Sequence, residues 1–182
     1  MTLEKLRSNL TSKINPVLED YGKNKLASIL VVIYGKSPLV VMTEKPKGMK
    51  FHAGEISFPG GKLESCDSNL LETALRETRE EIGLSISPEQ VIGQLKPVIT
   101  LNSRFTILPF VSVLETIPPL SANAEVEKIF HIPLGDFLKT MANDPDPTHN
   151  LIQEMYTFEF KGNIVWGASA RVLKQIADSL NF

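Results

Sequence analysis

Three glutamates, Glu77, Glu80 and Glu81, stand within five positions of the segment RETREEIGL, residues 76–84. Like charges one turn apart on a helix repel by roughly a few tenths of a kcal/mol per pair, so a helix that gathers them needs something to offset that cost. At about 100° per residue the three side chains fall within roughly a 100° arc, with Glu80 and Glu81 on either side of Glu77. Leu71, Leu75, Thr78 and Ile82 share another face, with Ala74 at its edge. Two readings are open: a solvated charged face with Arg76 and Arg79 as counter-ions, or a site where carboxylates converge on a divalent cation. Hard ions such as Mg2+ or Mn2+ prefer carboxylate oxygens, and they act as Lewis acids on a phosphate under attack.

The elements around these acids must position them. Upstream, FHAGEISFPGGKLESCDSNL places Phe58, Pro59, Gly60 and Gly61 where a strand would end, and the two glycines allow backbone to approach a helix or a ligand closely. A helix is predicted from about Leu70 to Ile82 and is stopped by Gly83. Before the glycines, LASILVVIYG and PLVVMTE read as two adjacent strands forming a hairpin. After the helix, EQVIGQLKPVIT, FTILPFVSVLE and EVEKIFHIP have strand composition, LGDFLKTMA that of a short helix, and EMYTFEFKGNIVWG that of a hairpin turning at Gly162-Asn163. SARVLKQIADSL spaces apolar residues as a terminal helix. At the other end, Leu3, Leu6, Leu10, Ile14 and Leu18 have helical spacing, and a helical extension over residues 1–22 is expected. The pattern is α/β, with a mixed or antiparallel sheet between helices.

At 182 residues the chain suits one domain, residues 1–182. A net charge of −2 gives no general attraction to nucleic acid or to an anionic membrane. Apolar runs fall well short of the roughly 20 residues of a membrane span. One cysteine, Cys66, excludes an intrachain disulfide, disfavours a cysteine-rich zinc site and fits a cytoplasmic location. A polyanionic substrate would need local cations or a bound metal, and TEKPKGMKFH offers Lys45, Lys47 and Lys50 just before His52.

The segment GKLESCDSNLLETALRETREEIGL, Gly61 to Leu84, resembles the Nudix hydrolase box. Arg76, Glu77, Glu80, Glu81 and Gly83 stand at that family's spacing. The acid in the first half is Asp67 rather than Glu, and one extra residue separates it from Arg76. Both departures resemble the coenzyme A pyrophosphatase branch of the family. So does VVMTEKPKGMKFHAGEISFPGG, where Thr43, His52, Gly54 and Phe58 to Gly61 match and Lys45 stands where arginine is more typical. AEVEKIFHIPL and IVWGASARVL, the latter opening on Trp-Gly-x-x-Ala-Arg, resemble that branch's later segments.

The resemblance implies an α/β/α sandwich and a Mg2+ or Mn2+ site on Glu77, Glu80 and Glu81. It implies hydrolysis of coenzyme A or its acyl derivatives to 3',5'-ADP and 4'-phosphopantetheine. Other nucleoside diphosphate derivatives, such as ADP-ribose, NADH or a dinucleoside polyphosphate, remain open, as does a non-catalytic nucleotide-binding module. Glu81 or Glu125 would act on the attacking water, and Arg76 would orient the carboxylates, pairing with Glu80 at i,i+4. Asp67 would cap or position the loop. Lys45, Lys47, Lys50 and Arg104 are expected near substrate phosphates, with Gly60 and Gly61 offering backbone. His52 is expected beside the site but not as a metal ligand, and Trp166 as a packing residue. Nudix proteins are often dimers, and the N-terminal helix is a candidate interface.

Overall fold

Strand β1 (Lys25–Tyr34) reads as an almost unbroken apolar run because both of its faces are covered: Leu30 and Val32 point into one core, Val31 and Ile33 into another. A computed structural model describes residues 1–18, 24–48, 53–100, 103–146 and 155–182. The hairpin expected from the first two apolar runs forms, β1 returning antiparallel as β2 (Leu39–Glu44) with Ile33 opposite Val40. Two short strands follow, β3 (Ile56–Ser57) on β2 and β4 (Gly60–Lys62) on the other end of β1. Helix α2 (Leu70–Ile82) has the expected bounds, and Gly83 caps it in the left-handed region at φ 70°.

After α2 come β5 (Val91–Gln94), β6 (Val98–Ile99), β7 (Phe105–Leu114) and β8 (Lys128–Pro133). β7 lies parallel to β1 along its whole length, from Lys25 opposite Phe105 to Tyr34 opposite Leu114. Antiparallel partners flank that pair in the order β3-β2-β1-β7-β5, with β4, β6 and β8 attached to β1, β7 and β2, so the sheet is mixed. Helix α3 (Leu134–Lys139), a small sheet of β9 (Ala142–Asn143), β10 (Tyr156–Phe160) and β11 (Asn163–Val165), and helix α4 (Gly167–Leu180) complete the described chain. α2 supplies Leu70, Ala74 and Ile82 to the core on one face of the large sheet; α3 and α4 supply the core on the other. This is the α/β/α sandwich.

The N-terminal helix is shorter than its apolar stripe suggests. Helix α1 spans Leu3–Leu10 and ends at Thr11, whose backbone is extended. Pro16 has no N–H to donate and biases Asn15 away from helix, so the helical spacing cannot be realised past this point. Ser12 to Asn15 instead run along β5, with the Ser12 N–H on Ile92 O (3.2 Å) and the Asn15 N–H on Gln94 Oε1 (2.6 Å), and Pro16 O then accepts from the Leu70 N–H at the start of α2 (3.1 Å). The stripe divides between the two cores: Leu3, Leu6 and Leu10 pack on the α4 side, Ile14 and Leu18 on the α2 side. Residues 19–22 of the expected extension lie outside the described residues.

Two smaller expectations also shift. The last hairpin turns at Lys161-Gly162, one position before the pair expected, because those residues take the two positive φ values of a mirror-image turn, 51° and 79°. Trp166 is not packed away: it is 42% exposed at the N-terminal end of α4. Among the described residues no helix is long and apolar enough to cross a membrane.

Candidate functional site

Helix α2 begins where Asn69 Oδ1 accepts from the N–H groups of Leu71 (2.9 Å) and Glu72 (3.1 Å), satisfying two donors that a helix start otherwise leaves unpaired. Asn69 is therefore the cap. Asp67 positions the loop instead, accepting from the Glu64 N–H (3.0 Å) and the Thr73 hydroxyl (3.0 Å). It also receives Arg76 in a two-pronged pair, Nε on Oδ1 at 2.8 Å and Nη2 on Oδ2 at 2.9 Å. The Arg76 guanidinium holds the Asp67 carboxyl down at about 2, well below its usual value.

That pair carries a testable consequence. Asp67→Asn is expected to destabilise the fold by about 2 kcal/mol near neutral pH, the scale of hydrogen bonds to a charged partner. The depressed carboxyl contributes stability above its unfolded value of 3.8, and the contribution is lost as pH falls towards about 2. The gap between wild type and variant should therefore be constant above about pH 4 and narrow below it. Urea unfolding at about pH 7 and pH 2.5 measures both; a gap that grows on acidification would refute the pairing.

The same guanidinium orders the acids. Arg76 Nη1 lies 2.9 Å from Glu77 Oε1 and 3.1 Å from Glu80 Oε2, the latter being the expected i,i+4 pair. Glu80 is half exposed, whereas Glu77 is largely covered. Burial pushes the Glu77 carboxyl up, and Arg76 opposes that shift. Glu77 lies against Gly61, where an added Cβ would meet its Oε1 at 2.2 Å. The absent side chain is the space this carboxylate occupies.

Glu81 is not on a solvated face at all: it is 2% exposed. Its Oε2 accepts from the Gly60 N–H (3.1 Å) and its Oε1 from Lys45 Nζ (2.7 Å). Burial pushes its carboxyl up; Lys45 and the Gly60 N–H work in the opposite sense. Gly60 itself sits at φ 156° with Ser28 O 2.3 Å from where a Cβ would be, so α2, β4 and β1 meet there without room for a side chain. Glu125 is exposed, with Oε2 3.9 Å from Lys45 Nζ. Its loop is tied to the end of α2, since the Ser121 and Asn123 N–H groups donate to Ile82 O and Glu81 O, both at 3.0 Å.

Glu77, Glu80, Glu81, Arg76, Gly60, Gly61, Lys45 and Glu125 are thus linked by these contacts. Lys45, expected near substrate phosphate, is engaged by a carboxylate, and Lys47 is exposed beside Gly54. Arg104 is exposed at the start of β7 with φ 55°, its carbonyl accepting from the Lys25 N–H on the neighbouring strand β1. Lys50 and His52 lie outside the described residues. Reasoning from sequence missed Asn69 as the cap and the Lys45–Glu81 pair. The first had a local signal, an Asn just before the apolar-periodic run; the second spans 36 positions and had none.

The donor set suits a hard divalent cation: three carboxylates at one end of one helix, two of them seated against glycines. Among the described residues no three acidic, histidine or cysteine groups already converge on a point, because Arg76 holds Glu77 and Glu80 while Lys45 holds Glu81. The chemistry of the donors fits Mg2+ or Mn2+, and the carboxylates would have to turn from their cationic partners to bind it.

Comparison with known proteins adds a family. The NUDIX domain matches residues 24–151. An uncharacterized Nudix hydrolase NudL of Photorhabdus laumondii is 30% identical over 161 residues, covering 86% of each chain. Among solved structures, a MutT/nudix family protein from Enterococcus faecalis superposes with a TM-score of 0.62 at 15% identity, over 91% of this chain and 65% of its own. The NUDIX domain of Shewanella oneidensis NrtR, complexed with ADP ribose, gives 0.53 at 19% identity, over 65% of this chain and 79% of its own.

Proposed function

Because the chain belongs to the Nudix family, we propose that it is a metal-dependent hydrolase that cuts the diphosphate of coenzyme A or its acyl derivatives. The reaction adds one water across a P–O–P bridge: a P–O bond forms to the water oxygen, the bridging P–O bond breaks, and 3',5'-ADP and (acyl-)4'-phosphopantetheine leave. The observation that carries the hydrolytic reading is the acid cluster of Glu77, Glu80 and Glu81 against Gly60 and Gly61. The long box with Asp67 and the Phe-Pro-Gly-Gly turn supports the coenzyme A branch.

In this reading Glu77, Glu80 and Glu81 hold Mg2+ or Mn2+. When bound, the ion neutralises charge on the phosphate and lowers the pKa of water. The rest falls to the chain itself. Arg76 keeps Glu77 and Glu80 on the same side of α2, and Asp67 keeps Arg76 there. Glu81 or Glu125 accepts the proton of the attacking water, and the two acids share Lys45 as a neighbour. Lys47, Lys50 and Arg104 serve substrate phosphates, with Gly60 and Gly61 leaving backbone accessible. The location is cytoplasmic, and a homodimer would use the N-terminal segment.

A competition assay tests the substrate directly. Purified protein with Mg2+ or Mn2+ is given coenzyme A, acetyl-CoA, ADP-ribose, NADH and a dinucleoside polyphosphate together, and products are followed by mass spectrometry. We expect 3',5'-ADP and phosphopantetheine to lead. Faster release of AMP from ADP-ribose or NADH would move the substrate and leave the metal site standing; no turnover of any compound would favour a nucleotide-binding module.

A further inference from the structure

Both oxygens of the Glu81 carboxylate are already used, one by the Gly60 N–H and one by the Lys45 ammonium. The first donor is backbone in a strand paired to β1 and cannot leave without breaking that pairing. The second is the tip of a flexible side chain at the end of β2, touching the carboxylate through one contact. A divalent ion reaching Glu81 would therefore meet a like charge at close range, and the lysine is the group that can yield. A landing place exists. Glu125 Oε2 is 3.9 Å from the same Nζ, so a displacement of roughly 1 Å would complete an ordinary ion pair.

We propose that Lys45 is a displaceable counter-ion: its ammonium holds the buried Glu81 carboxylate beside Gly60, and passes to Glu125 when a divalent cation takes Glu81. This rests on the metal site proposed above. It gives Lys45 a positioning role, inside the carboxylate cluster, instead of a contact with substrate phosphate. A guanidinium could grip both carboxylate oxygens through its planar fork, whereas a single ammonium contact releases more easily. Glu125 is suited to receive it because its loop is fastened both to the helix that carries Glu81 and, through the Glu127 N–H on Glu44 O (2.8 Å), to the strand that leads into Lys45.

The test is Mn2+ binding to the whole protein without substrate, read from the electron paramagnetic resonance signal of free Mn2+ at about pH 8. Lys45→Met removes the competing charge and is expected to tighten Mn2+ by about tenfold. Glu125→Gln removes the landing place and is expected to weaken Mn2+ about threefold, and to have no effect in the Lys45→Met background. Lys45→Gln, neutral but still able to donate to Glu81, should tighten binding as well and serves if the methionine variant does not fold. Unchanged or weaker binding in both lysine variants overturns the exchange, and so does a Glu125→Gln effect of equal size in both backgrounds, which would make Glu125 a ligand. If wild type takes up no Mn2+, or Glu81→Gln takes up as much as wild type, the metal site fails and the exchange with it.

Discussion

Glu81→Gln is expected to lower kcat by about 10³-fold or more while leaving the protein folded. Glutamine has the same shape, so the cavity beneath Gly60 stays filled. Its amide, however, presents one oxygen and one nitrogen where the structure has two donors, the Gly60 N–H and Lys45 Nζ, pointing at the two carboxylate oxygens. One of those donors must lose its acceptor, a loss of about 1 kcal/mol that the fold survives. The reaction is affected far more, because glutamine neither brings a negative charge to a divalent ion nor accepts a proton from water. Glu80→Gln separates these effects. That side chain is half exposed and meets Arg76 through one 3.1 Å contact, so its stability change should be negligible while activity still falls by orders of magnitude. Steady-state rates beside urea midpoints make the measurement; a Glu81→Gln enzyme within tenfold of wild type would remove this glutamate from the chemistry.

Two adjacent glycines should fail in opposite ways when given a methyl group. At Gly60 the new Cβ would stand 2.3 Å from Ser28 O and 2.7 Å from Ile29 Cα, both backbone atoms of β1. β1 is held along its full length by β7 and cannot retreat, and φ 156° is itself poorly suited to alanine. Gly60→Ala is therefore expected to cost about 3 kcal/mol or more, or to prevent folding. At Gly61 the obstacle is the end of a side chain, the Glu77 carboxylate at 2.2 Å, which can swing aside. Gly61→Ala should fold with a small loss of stability and lose most of its Mn2+ affinity and activity, since the carboxylate it displaces is one of the three proposed ligands. Urea unfolding and Mn2+ titration of the two variants distinguish the positions. Wild-type Mn2+ binding by Gly61→Ala would mean that the seat under Glu77 is dispensable.

How far the sequence carries depends on whether the deciding contact is local. Helix α2 was legible to the residue because its signals lie within it and at its ends: apolar periodicity, a glycine stop, and charges at i,i+4. The α/β pattern was legible from the order of the elements, whereas the sandwich was implied by the family resemblance; β1 and β7, buried on both sides, sit at its centre. The N-terminal stripe misled because apolar residues at helical spacing can equally be divided between two faces of a sheet by a strap that leaves the helix at Thr11. Burial of Glu81 could not be read, since a glutamate next to two others has every local reason to face water. What draws it inwards is a lysine 36 residues earlier and a backbone N–H 21 residues earlier. Trp166 is the converse, a large aromatic side chain that stays partly exposed where composition alone favours burial.

The two hydrogen bonds from Ser121 and Asn123 to the last turn of α2 have a consequence for how the site opens. Amide protons that close one helix end from a neighbouring loop exchange with solvent only when helix end and loop separate, so the two segments belong to one cooperative unfolding unit. Glu81 and Glu125 therefore gain and lose their native surroundings together. Fraying that frees the loop carrying Glu125 also uncovers buried Glu81, so the two acids are set in place by one event.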